Sequence, residues 1–204
     1  MKKLLSVLMA VLILLSLAAC GGSQPAPAPE PAEEVAPDAL SLLNTVWALY
    51  AEDERFPAFG GNQDSAEPVP DAPGAFDLSD TVGLNSLLGF PESDAEKIDN
   101  AASLIHMLNT NTFTCGAFHV TAGEDVGALA SAIRDNITQR QWICGFPDKL
   151  VVVTVGNYIV SFFGLEEFVD TFQARLSEAF PTAEAAYAEP LTCAHTVDPS
   201  LWRS

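Results

Sequence analysis

The sequence predicts an α+β domain: a small sheet in β-α-β-β-α order with helices on one face, preceded by N-terminal helices. Three observations predict it. Leu150 to Val155 and Tyr158 to Phe163 are runs of β-branched and aromatic residues joined by Gly156-Asn157, a tight-hairpin signal. The segments after Asp125 and after Gly164 carry apolar residues at helical spacing. Each such helix has one apolar stripe to bury, and laying it on a sheet is the economical solution.

Ahead of the domain, residues 1–19 have the parts of a secretory leader. Lys2 and Lys3 supply the charge, Leu4 to Leu17 an apolar run broken only by Ser6 and Ser16, and Ala18 and Ala19 small residues before Cys20. The run falls short of the roughly 20 apolar residues a spanning helix needs. Leu17-Ala18-Ala19-Cys20 resembles the bacterial lipobox. That resemblance implies a diacylglycerol thioether on Cys20, cleavage just before it, and a protein held on the outer face of the bacterial cytoplasmic membrane. Two acyl chains at ~0.8 kcal/mol per buried CH₂ make such an anchor stable. Residues 20–37 follow as a tether, whose Pro-Ala-Pro-Ala-Pro core favours extended polyproline at ~3.1 Å per residue.

Residues 38–92 read as an N-terminal helix followed by an acidic loop. Asp38 can cap a helix with Leu40, Leu43, Trp47 and Tyr50 on one face. Phe56 to Phe76 is rich in Gly, Pro and acids and reads as loop, and Asp80 to Leu88 as a short helix. The core spans 93–183. Ser93-Asp94-Ala95-Glu96 matches a capping box, so Pro91 to Asn109 reads as a helix with Ile98, Ala101, Ala102, Ile105 and Leu108 on one face. Phe113 to Val120 reads as a strand. Asp125 caps a helix bearing Val126, Leu129, Ala130, Ile133 and Ile137. The last helix carries Leu165, Phe168, Val169, Phe172, Leu176 and Phe180 and stops at Pro181, leaving 184–204 as a tail.

Three stretches carry a family resemblance. Ile98 to Phe113, Arg140 to Leu150 and Gly156 to Gly164 resemble the family named domain of unknown function 4358, found in surface lipoproteins of Gram-positive bacteria. The resemblance implies an α+β domain behind a lipobox and a Pro-rich tether, and it carries no functional residues over.

Composition excludes one class of partner. The chain has 9 Lys+Arg against 27 Asp+Glu, and its basic residues are scattered. No basic stripe exists to neutralise phosphates, so nucleic acid is not the partner. Beyond Cys20 stand Cys115, Cys144 and Cys193, an odd number in a disulfide-permissive setting. Cys115 and Cys144 read as small buried hydrophobes, and the spacing does not choose which of them Cys193 would bridge.

Two constellations carry chemistry. Cys115 with His119, and Cys193 with His195, would supply a Cys₂His₂ set of the kind zinc takes, and His106 or His119 could serve Cys115 as a base. The acids Asp64, Glu67, Asp71, Asp77 and Asp80 lack the alternating pattern of a calcium loop. Arg140, Trp142 and Phe146 offer an aromatic and cationic binding platform, weighed against core packing of Trp142. No serine-hydrolase elbow, zinc-protease helix or phosphate loop is present. The expected protein is a non-enzymatic envelope lipoprotein that needs no cofactor beyond its lipid and binds a protein or small molecule. The rival is a surface enzyme or metal protein built on the Cys/His residues.

Overall fold

The computed structural model describes residues 35–62, 68–142 and 145–191. The segments expected to be the leader, the lipobox with Cys20 and the tether up to residue 34 lie outside them, as do Cys144, Cys193 and His195.

Eight antiparallel strands form one sheet. In chain order they are β1 (Ala58–Gly60), β2 (Val69–Pro70), β3 (Gly74–Phe76), β4 (Ile98–His106), β5 (Phe113–Val120), β6 (Lys149–Val155), β7 (Tyr158–Gly164) and β8 (Glu184–Pro190). They lie in the order β2-β1-β4-β5-β7-β6-β8, with β3 also paired to β4. Among the described residues four α-helices accompany them: α1 (Ala39–Ala48), α2 (Thr81–Ser86), α3 (Val126–Thr138) and α4 (Glu166–Ala179).

The α+β class is the one expected, but the helices cover both faces. α1 and α4 pack on the face that carries Ala102, Leu104, Phe113, Cys115, Val151, Val153, Val160 and Phe162. α2 and α3 close the opposite face, over Ile105, Phe118, Leu150, Val152, Ile159 and Phe163. The reason lies in β6 and β7. Neither strand alternates apolar with polar, so each presents a greasy row to both sides, and both rows need cover.

Caps form where the side chains allow. Asp38, Asp80 and Asp125 each accept the backbone N–H three residues on, at 2.6, 2.8 and 3.0 Å. Gly156 has φ +56 in the β6–β7 turn, a conformation that side chains resist. Gly116 leaves room for a ring: a Cβ there would stand 2.6 Å from Phe118.

Three further expectations fail. Pro91 to Asn109 is not a helix: a 3-10 turn at Glu92–Lys97 without a side-chain cap leads into β4. A bulge between Ile98 and Asn100 shifts the pleat, so Ile98 and Ala101 face the same way although three apart. A bulged strand buried on both faces thereby imitates helical spacing. The acidic loop contains β1, β2 and β3, since Ser103 Oγ donates to Gly61 O and accepts from Gly61 N–H, both at 2.9 Å, tying the segment to β4. The tail begins with β8, which extends β6 and is fastened to α3 by a two-bond Arg134–Glu189 pair at 2.7 and 2.8 Å.

Antiparallel pairing gives the central strands two ends. One holds Ile98, Val120, Val155 and Tyr158, and the other His106, Phe113, Lys149 and Gly164.

Candidate functional site

At the first end the chain enters the domain. Tyr158 O–H donates to Ala36 O at 2.8 Å, and Asn100 Oδ1 accepts the Ala39 N–H at 2.8 Å. The β4 bulge turns the Asp99 carboxylate toward His119, with Oδ1 2.6 Å from Nδ1, while Asn100 Nδ2 donates to the same oxygen at 2.7 Å. The His119 ring leans on Tyr158 at 4.7 Å between centroids. A carboxylate at Nδ1 orients an imidazole as a base or ligand would need, but none of these contacts brings a nucleophile to it. The network's evident work is to fasten residues 36–39 to the sheet.

Of the Cys/His set, the structure describes only Cys115 and His119, and it does not bring those two together. Cys115 and His119 share a strand face, as expected, yet four residues at ~3.3 Å separate their Cα atoms by about 13 Å, with Ala117 between. One zinc ion with bonds of about 2.0–2.3 Å cannot take both. Cys115 is fully buried, and burial pushes its thiol well up, so no thiolate is offered for catalysis. Cys193 and His195 lie outside the described residues. Among the described residues no three His, Cys, Asp or Glu side chains converge on a point. Asp77 and Asp80 instead accept the amides of Ser79 and Gly83, and Asn62 Nδ2 donates to Asp80. Asp64 and Glu67 lie outside.

The Arg140 platform is packed rather than presented. The guanidinium donates to Asn85 O at 3.0 Å and sits over the rings of Trp142 and Phe163. Burial draws it down to about 10. Trp142 and Phe146 are half-buried, with the Trp142 ring edge-on to Phe163 at 5.2 Å. Packing takes up part of these side chains and leaves the rest in reach of solvent.

The second end holds a feature the sequence reading missed. Met107 and Leu108, in the turn between β4 and β5, are 49% and 81% exposed. Beneath them His106 is buried, stacked on Phe56 at 5.5 Å and edge-on to Phe168 at 5.6 Å. Its Nδ1 accepts the Leu108 N–H at 3.3 Å, and burial lowers its pKa. Leu165 N–H donates to Thr112 O at 2.9 Å, and Glu166 N–H to Asp148 Oδ2 at 3.1 Å, which sets the acidic start of α4 beside the turn. Two neighbouring apolar residues ahead of Asn-Thr-Asn are the available signal, but the helical spacing of Ile98, Ala101, Ile105 and Leu108 assigns Leu108 to a core face.

The charge pattern bears on any ligand. Each described cation is engaged. Arg55 bonds Trp47 O at 3.4 Å, Lys97 pairs with Asp94, and Arg134 with Asp135 and Glu189. Lys149 pairs with Asp170, Arg175 with Glu54 and Glu178, and Arg140 bonds backbone oxygen. Among the described residues Glu52, Asp53, Glu96 and Glu167 are exposed with no cation paired to them. No family model, no curated protein and no solved structure matches the chain.

Proposed function

We propose that the protein is a lipid-anchored lipoprotein of the bacterial envelope, held on the outer face of the cytoplasmic membrane, whose α+β domain binds a partner rather than catalysing a reaction. The observation that carries the reading is Leu17-Ala18-Ala19-Cys20 after a charged and apolar leader, with a Pro-rich arm behind it. The likeness of three segments to the domain of unknown function 4358 family supports the same placement. Among the described residues no helix is long and apolar enough to cross a membrane. Ala36 is already buried in the domain and accepts from Tyr158, so the tether expected over residues 20–37 stops short of it. An arm of 14 residues from Gly21 to Glu34 at ~3.1 Å each gives a reach of roughly 40 Å.

The binding half of the reading is supported by a buried Cys115 and by cations already committed to partners. It favours a neutral or cationic ligand over an anionic one. One observation favours an enzyme instead, the 2.6 Å pair of Asp99 and His119. Hydrolysis of a model ester that is lost in His119→Gln would carry that rival.

The anchor is tested by growing cells on labelled palmitate. The expected product carries label on the wild-type chain, none on Cys20→Ala, and a mass that begins at Cys20. An unlabelled chain with its leader intact overturns the placement.

A further inference from the structure

The apolar turn at the second end has surroundings that say what it fits. Met107 and Leu108 are two of four large hydrophobic side chains exposed among the described residues, and they alone are neighbours in sequence. A hairpin turn is ordinarily polar, since its backbone meets water. This one is also braced. Its base is the buried His106 ring, Met107 N–H donates to Pro57 O at 2.8 Å, and Asn111 Nδ2 donates to Gly145 O at 3.1 Å. A braced tip presents its side chains at low entropic cost.

Carboxylates stand to one side of it. Asp148, Glu166 and Glu167 are exposed, and the bonds from Leu165 to Thr112 and from Glu166 to Asp148 fix their place beside the turn. The nearby cation, Lys149, is taken by Asp170 at 2.6 Å. An apolar knob flanked by exposed carboxylates that pair with no Lys or Arg complements one chemistry: an apolar surface edged with Lys or Arg.

We propose that the Met107–Leu108 turn and the acidic start of α4 form a docking surface for a cationic amphipathic polypeptide segment of a partner protein. Leu108 enters the partner's apolar face, and Glu166, Glu167 and Asp148 meet its basic edge. The inference rests on reading the domain as a binding module, and it is independent of the anchor. A chain without lipid on Cys20 would overturn the anchoring and leave the titration below untouched.

The probe is a synthetic Lys–Leu amphipathic helix, with a Glu–Leu helix of the same apolar pattern as control. Each is titrated into the full chain by calorimetry and followed by backbone amide shifts. The Lys–Leu helix should bind, the Glu–Leu helix should not, and the shifts should centre on 107–112 and 165–168. Leu108→Asp is the deciding variant. It adds a negative charge, so attraction by net charge alone predicts equal or tighter binding, whereas docking predicts a loss of about tenfold, the scale of one buried leucine side chain. Glu166→Gln with Glu167→Gln should weaken binding several-fold and flatten its salt dependence. Equal or tighter binding by Leu108→Asp overturns the proposal, as do shifts centred elsewhere. It is equally overturned by self-association that Leu108→Asp abolishes, by comparable uptake onto neutral phosphatidylcholine vesicles, or by contacts from Leu108 to Leu201 or Trp202 of its own chain.

Discussion

The two ends of the sheet solve opposite problems with similar materials. Where the chain enters, a bulged strand, an asparagine, a tyrosine hydroxyl and a histidine–aspartate pair fasten residues 36–39. Where the strands turn at the far end, a histidine ring is sealed under Phe56 and Phe168, and the residues after it are left in water. Histidine plays a structural part at both, held by a carboxylate in one case and by a backbone amide and two rings in the other. The difference teaches how to separate fastening from presentation. At the entry end the exposed groups are polar and already partnered. At the turn the large apolar side chains of Met107 and Leu108 stand in water, where the packing of the fold does not use them.

The contrast can be broken most forcefully from beneath the turn. Phe56 is buried and touches the rings of Trp47, His106, Phe113 and Phe168 at 5.2, 5.5, 5.2 and 5.3 Å. Phe56→Ala should cost about 3–5 kcal/mol, read as a lowered urea midpoint at unchanged slope. A loss under about 1 kcal/mol would mean that the turn has no firm base. At the entry end the corresponding cut is smaller. Asn100→Ala strips the Ala39 amide of its acceptor and Asp99 of one donor, and should cost about 1–2 kcal/mol in the same assay. Proteolysis near residues 36–39 should quicken in that variant.

How much of this could be read beforehand follows from how each element is buried. The β6–β7 hairpin, α1 and α3 were legible because turn residues, caps and stripes agreed, and α4, which has no side-chain cap, was legible from its apolar stripe and the stop at Pro181. β4 was illegible for a definite reason. The bulge at Asp99 makes Ile98 and Ala101 share a face, and strands on both sides with helices on both faces bury the rest of it. The same misreading hid the site, because a helix through 108 turns Leu108 into core when it stands in water. β8 was hidden by composition: Glu184 to Pro190 is mostly exposed and alanine-rich, and only its pairing to β6 makes it a strand. The Cys115–His119 zinc idea used the correct face and neglected distance along the strand. At Arg140 the two readings weighed for Trp142 meet, since its ring packs on Phe163 and stays partly exposed.

Acid separates the ends further, because each has one group whose charge state the fold prefers. Burial keeps His106 neutral, with a folded pKa below the ordinary 6.5. The unfolded chain binds that proton more readily, so the contribution is present above pH 6.5 and lost as pH falls through the lowered value. Asp38 is held below 3.8, chiefly by the Ser41 amide. Its contribution is present above that pH and lost as pH falls through its own lower value. Urea midpoints measured from pH 7 down to pH 3 should therefore begin to fall in the histidine range, and His106→Gln should remove that first decline. An unchanged early decline in the variant would assign it to another group.

The smallest expected effect is the most informative about the turn. Leu108 is 81% exposed, and its backbone N–H rather than its side chain makes the bond to His106. Leu108→Asp should shift stability by no more than about 0.5 kcal/mol, within the range of ordinary surface changes. If the side chain were instead part of the domain's packing, the same variant would unfold at visibly lower urea, and the loss of peptide binding could not be told from loss of structure. Stability held constant while affinity falls would isolate Leu108 as a residue the fold does not need. That combination, set beside the destabilising Asn100→Ala, distinguishes an end that fastens from an end that presents.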